Sequence, residues 1–424
     1  MSETVDLLID HIGQLCTIPA HDQGPQRGRA LGDLGIISRA ALAVHAGQIV
    51  AAGARKDILD RYTGRSVLDA EGRLVTPGLI DPHTHLIWAG DRADEFEMRL
   101  QGATYQQIAA AGGGINRTVR QTRAATTRML VDQARPRLAR MLSHGTTTVE
   151  CKTGYGLKLD TEIAMLNAIA ALDAEGPVDL VPTFLGGHDI PPEYAGAPDE
   201  YVDLLVETMI PAVAAWKVDH WPGPLYCDVF CEQGVFSVEQ TRRILDAARR
   251  AGLALRLHAD EFVALGGTSL AAEMGAVSVD HLLVTPPEEV VRLGQSSTIA
   301  VLLPATPFGL GIPNTAPVRA LLEAGAAVAL ATDCNPGTAW CESMQMVLAL
   351  ATRALGLTPA QALAAATINA AFAVERGERI GSIETGKQAD LVIWDAPDYR
   401  HLSYRFGCNL ANTVLKDGVV VAVS

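Results

Sequence analysis

Both ends of the chain read as short strands broken by turns. Asp6–Ile9, Ala41–His45, Gln48–Ala52 and Ser66–Asp69 are separated by Gly and Asp, and Ala389–Trp394, Leu410–Lys416 and Val419–Val423 look alike. Asp417-Gly418 between the last two runs is a hairpin signal. Residues 1–77 and 380–424 are therefore expected to pair into one composite β-sandwich domain.

Residues 78–379 follow another rhythm, in which apolar strands alternate with helical stretches rich in Ala, Leu and Arg. The eight strand candidates are Leu79–His85, Thr146–Lys152, Leu180–Leu185, Leu225–Cys231, Ala254–His258, Val277–His281, Ile299–Leu303 and Ala327–Thr332. Val238–Ala251 reads as a helix, and so does Val318–Ala324, with Pro317 at its start where a helix tolerates proline. Repeated β-then-α alternation implies right-handed crossovers and a parallel sheet. Eight such units in about 250 residues fit an α/β fold, the (β/α)8 TIM-like barrel. No solenoid repeat or low-complexity segment interrupts this pattern.

Composition narrows the partners. With 48% hydrophobic residues, the 424-residue chain can bury a large core. A formal net charge of −14 argues against nucleic acid, so cations that hold an acidic substrate must be local. The first residues lack the basic and apolar regions of a signal peptide, and no run of about 20 apolar residues predicts a membrane span. Seven scattered cysteines are an odd count, which suits reduced thiols in a cytoplasmic protein rather than a disulfide framework. A homodimer is the expected assembly.

The candidate chemistry lies at the strand tips, where a barrel of this type carries its active site. Strand one ends in His83-Thr84-His85, whose two imidazoles share a face because side chains alternate along a strand. Strand three runs into His188, strand five into His258-Ala259-Asp260-Glu261, strand six into Asp280-His281 and strand eight into Asp333-Cys334-Asn335. Five of the 11 histidines thus share one end of the expected barrel. His83, His85, His258 and Asp333 make a first shell for one divalent or trivalent metal ion, Zn or Fe, with a position left for water. Such an ion makes hydroxide available near neutral pH.

Glu261, His281 and Asp333 are the candidate catalytic groups. Glu261 lies three residues past His258, so it must sit where the strand turns into its loop if it is to act as general acid/base; the plain alternative is a helix N-terminal acid. His281 is left to polarise a carbonyl or orient hydroxide. Strand four carries no lysine for a bridging carbamate, although Cys231 or Glu232 could support a second metal.

These tips resemble the one-metal branch of the metal-dependent amidohydrolase superfamily, and more narrowly the imidazolonepropionase family. The likeness runs through His83–Arg92, Tyr105, Ala111–Ile115, Lys152-Thr153-Gly154-Tyr155-Gly156, Gly186-Gly187-His188, His258–Glu261 and Asp333–Thr338, and it covers nearly the whole chain. It implies hydrolytic opening of 4-imidazolone-5-propanoate to N-formimidoyl-L-glutamate in histidine degradation. It also implies that Arg92, Tyr105, Tyr155, His188 and Glu261 bind substrate, and that Asn335, Gly337 and Thr338 complete the pocket. Arg92 suits a carboxylate because its fork makes a bidentate pair; its alternative is a salt bridge to Asp91, Asp94 or Glu95. The plain alternative for the two tyrosines is half-burial without a role. Gly112–Gly114 lacks the Lys-Ser/Thr of a phosphate-binding loop and reads as a flexible loop or lid hinge. The alternatives are a related deaminase acting on a purine, pyrimidine or formimino compound, and a non-catalytic scaffold.

Overall fold

Eight parallel strands form one sheet in chain order, and all the apolar runs but the first found their places within a residue or two. In the computed structural model, which describes residues 2–103, 107 and 112–423, they are Leu79–Asp81, Thr146–Lys152, Asp179–Gly187, Tyr226–Cys231, Ala254–Ala259, Ser278–His281, Ile299–Leu302 and Val328–Leu330. They are called strands one to eight below. Helices return the chain between them, such as Leu159–Glu175 after strand two and Val238–Arg250 after strand four. The latter starts on a capping box, with Ser237 and Gln240 each satisfying the other's backbone N–H, and buries Ile244, Leu245 and Ala248.

Strand one is shorter than its apolar run. It was expected to reach His85, but it stops at Asp81, because Pro82 has no N–H to extend the ladder. The His83–His85 segment then closes the barrel seam. Asp333 donates its backbone N–H to the His83 carbonyl at 3.1 Å, and His85 donates to the Cys334 carbonyl at 3.0 Å. Just below, Asp81 accepts the Thr332 N–H at 3.0 Å and its hydroxyl at 2.5 Å.

The barrel interior changes character along its axis. Ile80, Val181 and Tyr226 form an apolar floor with Ala370 and Ala371 of the helix Ile368–Ala373. One and two steps further along the strands, alternate positions are Glu150, Lys152, Asp228, Arg256 and Asp280, all fully buried.

Strands from both chain ends join in a second, mixed sheet of eight strands that fits a small sandwich. Glu3–Cys16 pairs with Ile36–His45 on one side, and with Tyr62–Asp69 and Leu74–Pro77 on the other. Leu74–Pro77 in turn pairs with Leu391–Trp394, which brings the far end of the chain alongside. Ile9, Ile12 and Leu15 share one core with Leu391, Ile393 and Leu415, so neither end buries its apolar face without the other. Among the described residues no helix is long and apolar enough to cross a membrane.

Candidate metal centre and substrate pocket

The His83–His85 segment is held by the residue between the histidines. Thr84 faces strand two, where its N–H donates to Glu150 Oε2 at 3.1 Å and its hydroxyl to the Glu150 carbonyl at 2.7 Å. Both imidazoles are thereby turned to the barrel axis, where they meet Asp333: Nε2 of His83 and Nε2 of His85 each lie 3.5 Å from its Oδ1. Nε2 of His258 lies 3.5 Å from Nε2 of His85.

These groups fit a metal cation on the chemistry of their donors. His83 gives its Nδ1 proton to Asp280 Oδ2 at 2.6 Å, so its buried Nε2 carries a bare lone pair with no hydrogen-bond partner. Burial, and then the charge of Lys152, holds His83 neutral well below the usual histidine pKa; burial, and then His188, does the same for His85. Neutral imidazole is the ligand form. Thr306 donates to Asp333 Oδ2 at 2.6 Å, which leaves Oδ1 for the centre. Two overlapping groups could hold an ion, His83, His85 and Asp333, and His83, His258 and His281.

A dry charged layer supports these ligands. Asp228 Oδ2 sits 3.0 Å from Nδ1 of His258, as Asp280 sits against His83. Lys152 Nζ is 2.9 Å from Asp228, 2.9 Å from Glu150 and 3.9 Å from Asp280. Arg256 donates to Ser278 Oγ at 3.1 Å and to the Pro82 carbonyl at 3.0 Å. One ammonium group thus faces both carboxylates that orient candidate ligand histidines.

Glu261 reaches the site by a turn. Strand five ends at Ala259, and Asp260 adopts φ +56°, so Glu261 no longer follows the strand's alternation. His281 (φ +80°) and Asp333 (φ +53°) share this left-handed region, which costs energy for a side chain with a Cβ and is found where function holds it. Glu261 Oε2 lies 3.8 Å from Nε2 of His281. Burial, then Asp333 and Glu232, pushes the Glu261 carboxyl well above its usual pKa. Burial likewise raises Asp333 to about 6, against the Thr306 hydrogen bond.

A cavity of about 710 Å³ opens over the centre, lined by His85, Tyr155, His188, Arg92 and Glu261 among others. His188 stacks on His85 at 4.8 Å and takes up the Gly154 carbonyl at 3.0 Å through Nδ1. Tyr155 is buried against both rings. Asn335 folds its loop around its own side chain: Oδ1 accepts the N–H groups of Gly337 and Thr338, both at 2.8 Å, and Nδ2 donates to Thr338 Oγ1 at 2.9 Å. Gly337 lets the Arg92 guanidinium approach closely, since a Cβ there would stand 2.5 Å from one of its nitrogens and push the arginine aside. Arg92 also pairs with Glu95, Nε to Oε2 at 2.8 Å.

Comparison with known proteins places the chain in a family. An Amidohydrolase family profile matches residues 74–423. The chain is 54% identical over 418 residues to an imidazolonepropionase of Herpetosiphon aurantiacus, covering 98% of this chain and 97% of that one. It is 51% identical over 426 residues to an imidazolonepropionase of Chloroflexus aggregans, covering 100% of both. The chain belongs to the amidohydrolase family, among the imidazolonepropionases. Amidohydrolases are metal-dependent, and the His/Asp cluster suits that habit. An adenosine deaminase from Xanthomonas campestris, solved with bound zinc, shares the fold (TM-score 0.70, 21% identity, 100% of this chain and 94% of that one). So does the zinc complex of atrazine chlorohydrolase from Arthrobacter aurescens (TM-score 0.69, 19% identity, 98% and 95%).

In this imidazolonepropionase-family chain the expected residues come together, except that Tyr105 lies outside the described residues. The expectation that strand four carries no lysine holds, yet a buried lysine reaches that strand from strand two as Lys152. Glu232, weighed as support for a second metal, has its oxygens turned to the N–H groups of Phe262 and Val263, both at 3.0 Å. Gly114, read as part of a loop or hinge, donates its N–H to buried Glu95 at 3.1 Å. Asp228, Asp280, Lys152 and Glu162 were missed as supporting residues. Glu162 accepts the N–H groups of Gly154, Gly156 and Leu157 and so holds the loop that carries Tyr155. For the first three the signal was a charged residue within an otherwise apolar strand, whereas Glu162 lies in the first turn of the helix Leu159–Glu175, where an acid is ordinary.

Proposed function

We propose that this chain hydrolyses 4-imidazolone-5-propanoate to N-formimidoyl-L-glutamate, a step of histidine degradation. The observation that carries the reading is the convergence of a His/Asp centre, a buried glutamate and an arginine-bearing wall on one cavity. Relatives named imidazolonepropionase, matched end to end, support the same substrate.

His83, His85, His258 and Asp333 would hold one metal ion, Zn or Fe. When bound, such an ion lowers the pKa of a coordinated water and polarises a carbonyl. Water adds to the ring carbonyl carbon, the carbon–nitrogen bond of that amide breaks, and the carbon leaves as a carboxylate. The ring nitrogen must gain a proton as it departs. Glu261 is the group to relay it, from the attacking water to that nitrogen. His281, beside Glu261, orients the carbonyl oxygen. Arg92 offers its free guanidinium nitrogens to the propionate, while Tyr155, His188, Asn335, Gly337 and Thr338 shape the walls; Tyr105 belongs to the same proposed set.

We assign residues 78–379 to the catalytic barrel and residues 1–77 with 380–424 to the composite domain. Seven free cysteines favour the cytoplasm. We expect a homodimer acting on a small molecule, without nucleic acid or membrane. The test is turnover of 4-imidazolone-5-propanoate by protein of measured metal content. Formimidoyl-glutamate without ammonia is the expected product; ammonia release would overturn the reading in favour of a deaminase.

A further inference from the structure

The pocket that must admit an anion is rich in acids. Glu95, Asp189, Glu232, Glu261 and Asp333 all line it, in a chain of net charge −14. Its two guanidinium groups belong to Arg92 and Arg99, and they differ in compensation. Arg92 is paired with buried Glu95 at 2.8 Å, a carboxylate that also takes the Gly114 N–H and lies 3.7 Å from Arg117, itself paired with Asp94 at 2.6 Å. Arg99 has no carboxylate within ion-pair distance and no side-chain hydrogen bond among the described residues; its guanidinium lies 5.9 Å from the centroid of the Phe96 ring and feels Arg92 and Glu95 only at longer range.

The helix Ala93–Leu100 explains how both arginines meet the same cavity. Arg92 is its N-cap, and Glu95, Phe96 and Arg99 follow at three, four and seven residues, which places all of them on one face. Arg99 is half-buried, and it lines both the substrate cavity and a second cavity of about 400 Å³ beside it. It therefore stands at the junction of the site with its surroundings rather than on open surface.

We infer that Arg99 is a specificity-determining residue: the uncompensated cation that draws a carboxylate-bearing substrate into the acidic pocket and shares its propionate with Arg92. The division of labour follows from the pairing. Arg92 and Arg117 balance Glu95 and Asp94, so that cluster contributes oriented donors but no net charge, and the attraction felt by an approaching anion comes from Arg99. A half-solvated cation of this kind acts more on encounter than on the chemical step, and its effect fades with salt. The inference rests on the reading of function given above.

The test compares wild type, Arg99→Gln, Arg99→Lys and Arg99→Glu holoenzymes in steady-state turnover of 4-imidazolone-5-propanoate at low and high salt. Arg99→Gln should raise KM roughly 10-fold at low salt, the lower end of electrostatic steering, with kcat retained. It should also flatten the fall of kcat/KM with salt. Arg99→Lys should recover most of the loss, since charge rather than a planar fork is at stake, and Arg99→Glu should be worse than Arg99→Gln. A Gln variant with wild-type KM and salt dependence overturns the inference. So does a drop in kcat at unchanged KM, or a Lys variant as impaired as Gln, because either marks a structural role.

Calorimetric binding of imidazole-4-propanoate and its methyl ester, at a pH above the imidazole pKa so that the ester is uncharged, separates this from the reaction itself. The acid should lose affinity in Arg99→Gln while the ester is indifferent. That result in a protein that does not open the imidazolone ring would sustain Arg99 and end the proposed reaction. Equal loss for acid and ester would end the role of Arg99 whether or not the ring is opened.

Discussion

Charges beneath the histidines and charges at the pocket mouth obey different rules. Below, Glu150, Lys152, Asp228, Arg256 and Asp280 are shut away from water, and each is within reach of an opposite charge. Above, Arg92 is partly open to solvent and Arg99 has no ion pair among the described residues. A buried charge left alone costs several kcal/mol, so the lower layer tolerates no gap; a solvated charge is cheap to leave free and is therefore available to a ligand. The lower layer sets the centre, and the upper one selects what reaches it.

The comparison breaks first at the ligands. His83→Ala or Asp333→Ala should lose metal and activity together, as read by elemental analysis and turnover, because each removes one donor from a converging set. Full activity in a metal-free sample would end the proposed chemistry.

One layer down, Lys152→Met should destabilise the fold by about 3–5 kcal/mol, the usual cost of stripping one partner from a buried ion pair. Two carboxylates, Glu150 and Asp228, would be left facing an apolar side chain. The control is Arg242, paired with Glu273 on the exposed surface, where Arg242→Ala should cost less than about 1 kcal/mol. Denaturant midpoints check both, and equal shifts would erase the distinction between dry and wet charges.

Glu261 stands between the layers. Glu261→Gln keeps the shape but cannot carry a proton, so metal should be retained while kcat falls by about 10²-fold or more. Near-normal kcat would return Glu261 to a structural role.

The sequence made one half of this comparison legible and hid the other. His83, His85, His258 and Asp333 could be picked out because they stand at or just past the ends of apolar runs, although only His258 lies within a strand, since strand one ends at Asp81 and strand eight at Leu330. The turn that brings Glu261 round was inferable from its three-residue offset, and Asp260 supplies it with φ +56°. Arg92 and Glu95 are three apart, so their pair could be weighed in advance. The supporting carboxylates could not be matched to their histidines, since Asp280 is 197 residues from His83 and only closure of the barrel brings them within 2.6 Å. The end of strand one was misjudged because apolar character continues past the point where Pro82 removes the hydrogen bond.

The smallest effect sharpens the comparison at the mouth. Arg92→Ala removes a charge-assisted contact worth on the order of 1.5–3 kcal/mol, which predicts a KM on 4-imidazolone-5-propanoate raised roughly 10- to 150-fold. It also removes the nearer of two cations beside buried Glu95, leaving Arg117 at 3.7 Å and a less balanced carboxylate facing the propionate. These two losses separate in the double variant Arg92→Ala/Glu95→Gln. Glutamine keeps an acceptor for the Gly114 N–H but removes the negative charge. If repulsion by Glu95 contributes, the double variant should recover part of the KM lost in the single one. Arg92→Lys should recover only part as well, because an ammonium cannot give Glu95 and the substrate a planar fork at once. A double variant no better than Arg92→Ala would put the whole effect in the lost donors, and a propionate-free analogue equally weakened by Arg92→Ala would move the carboxylate site away from Arg92.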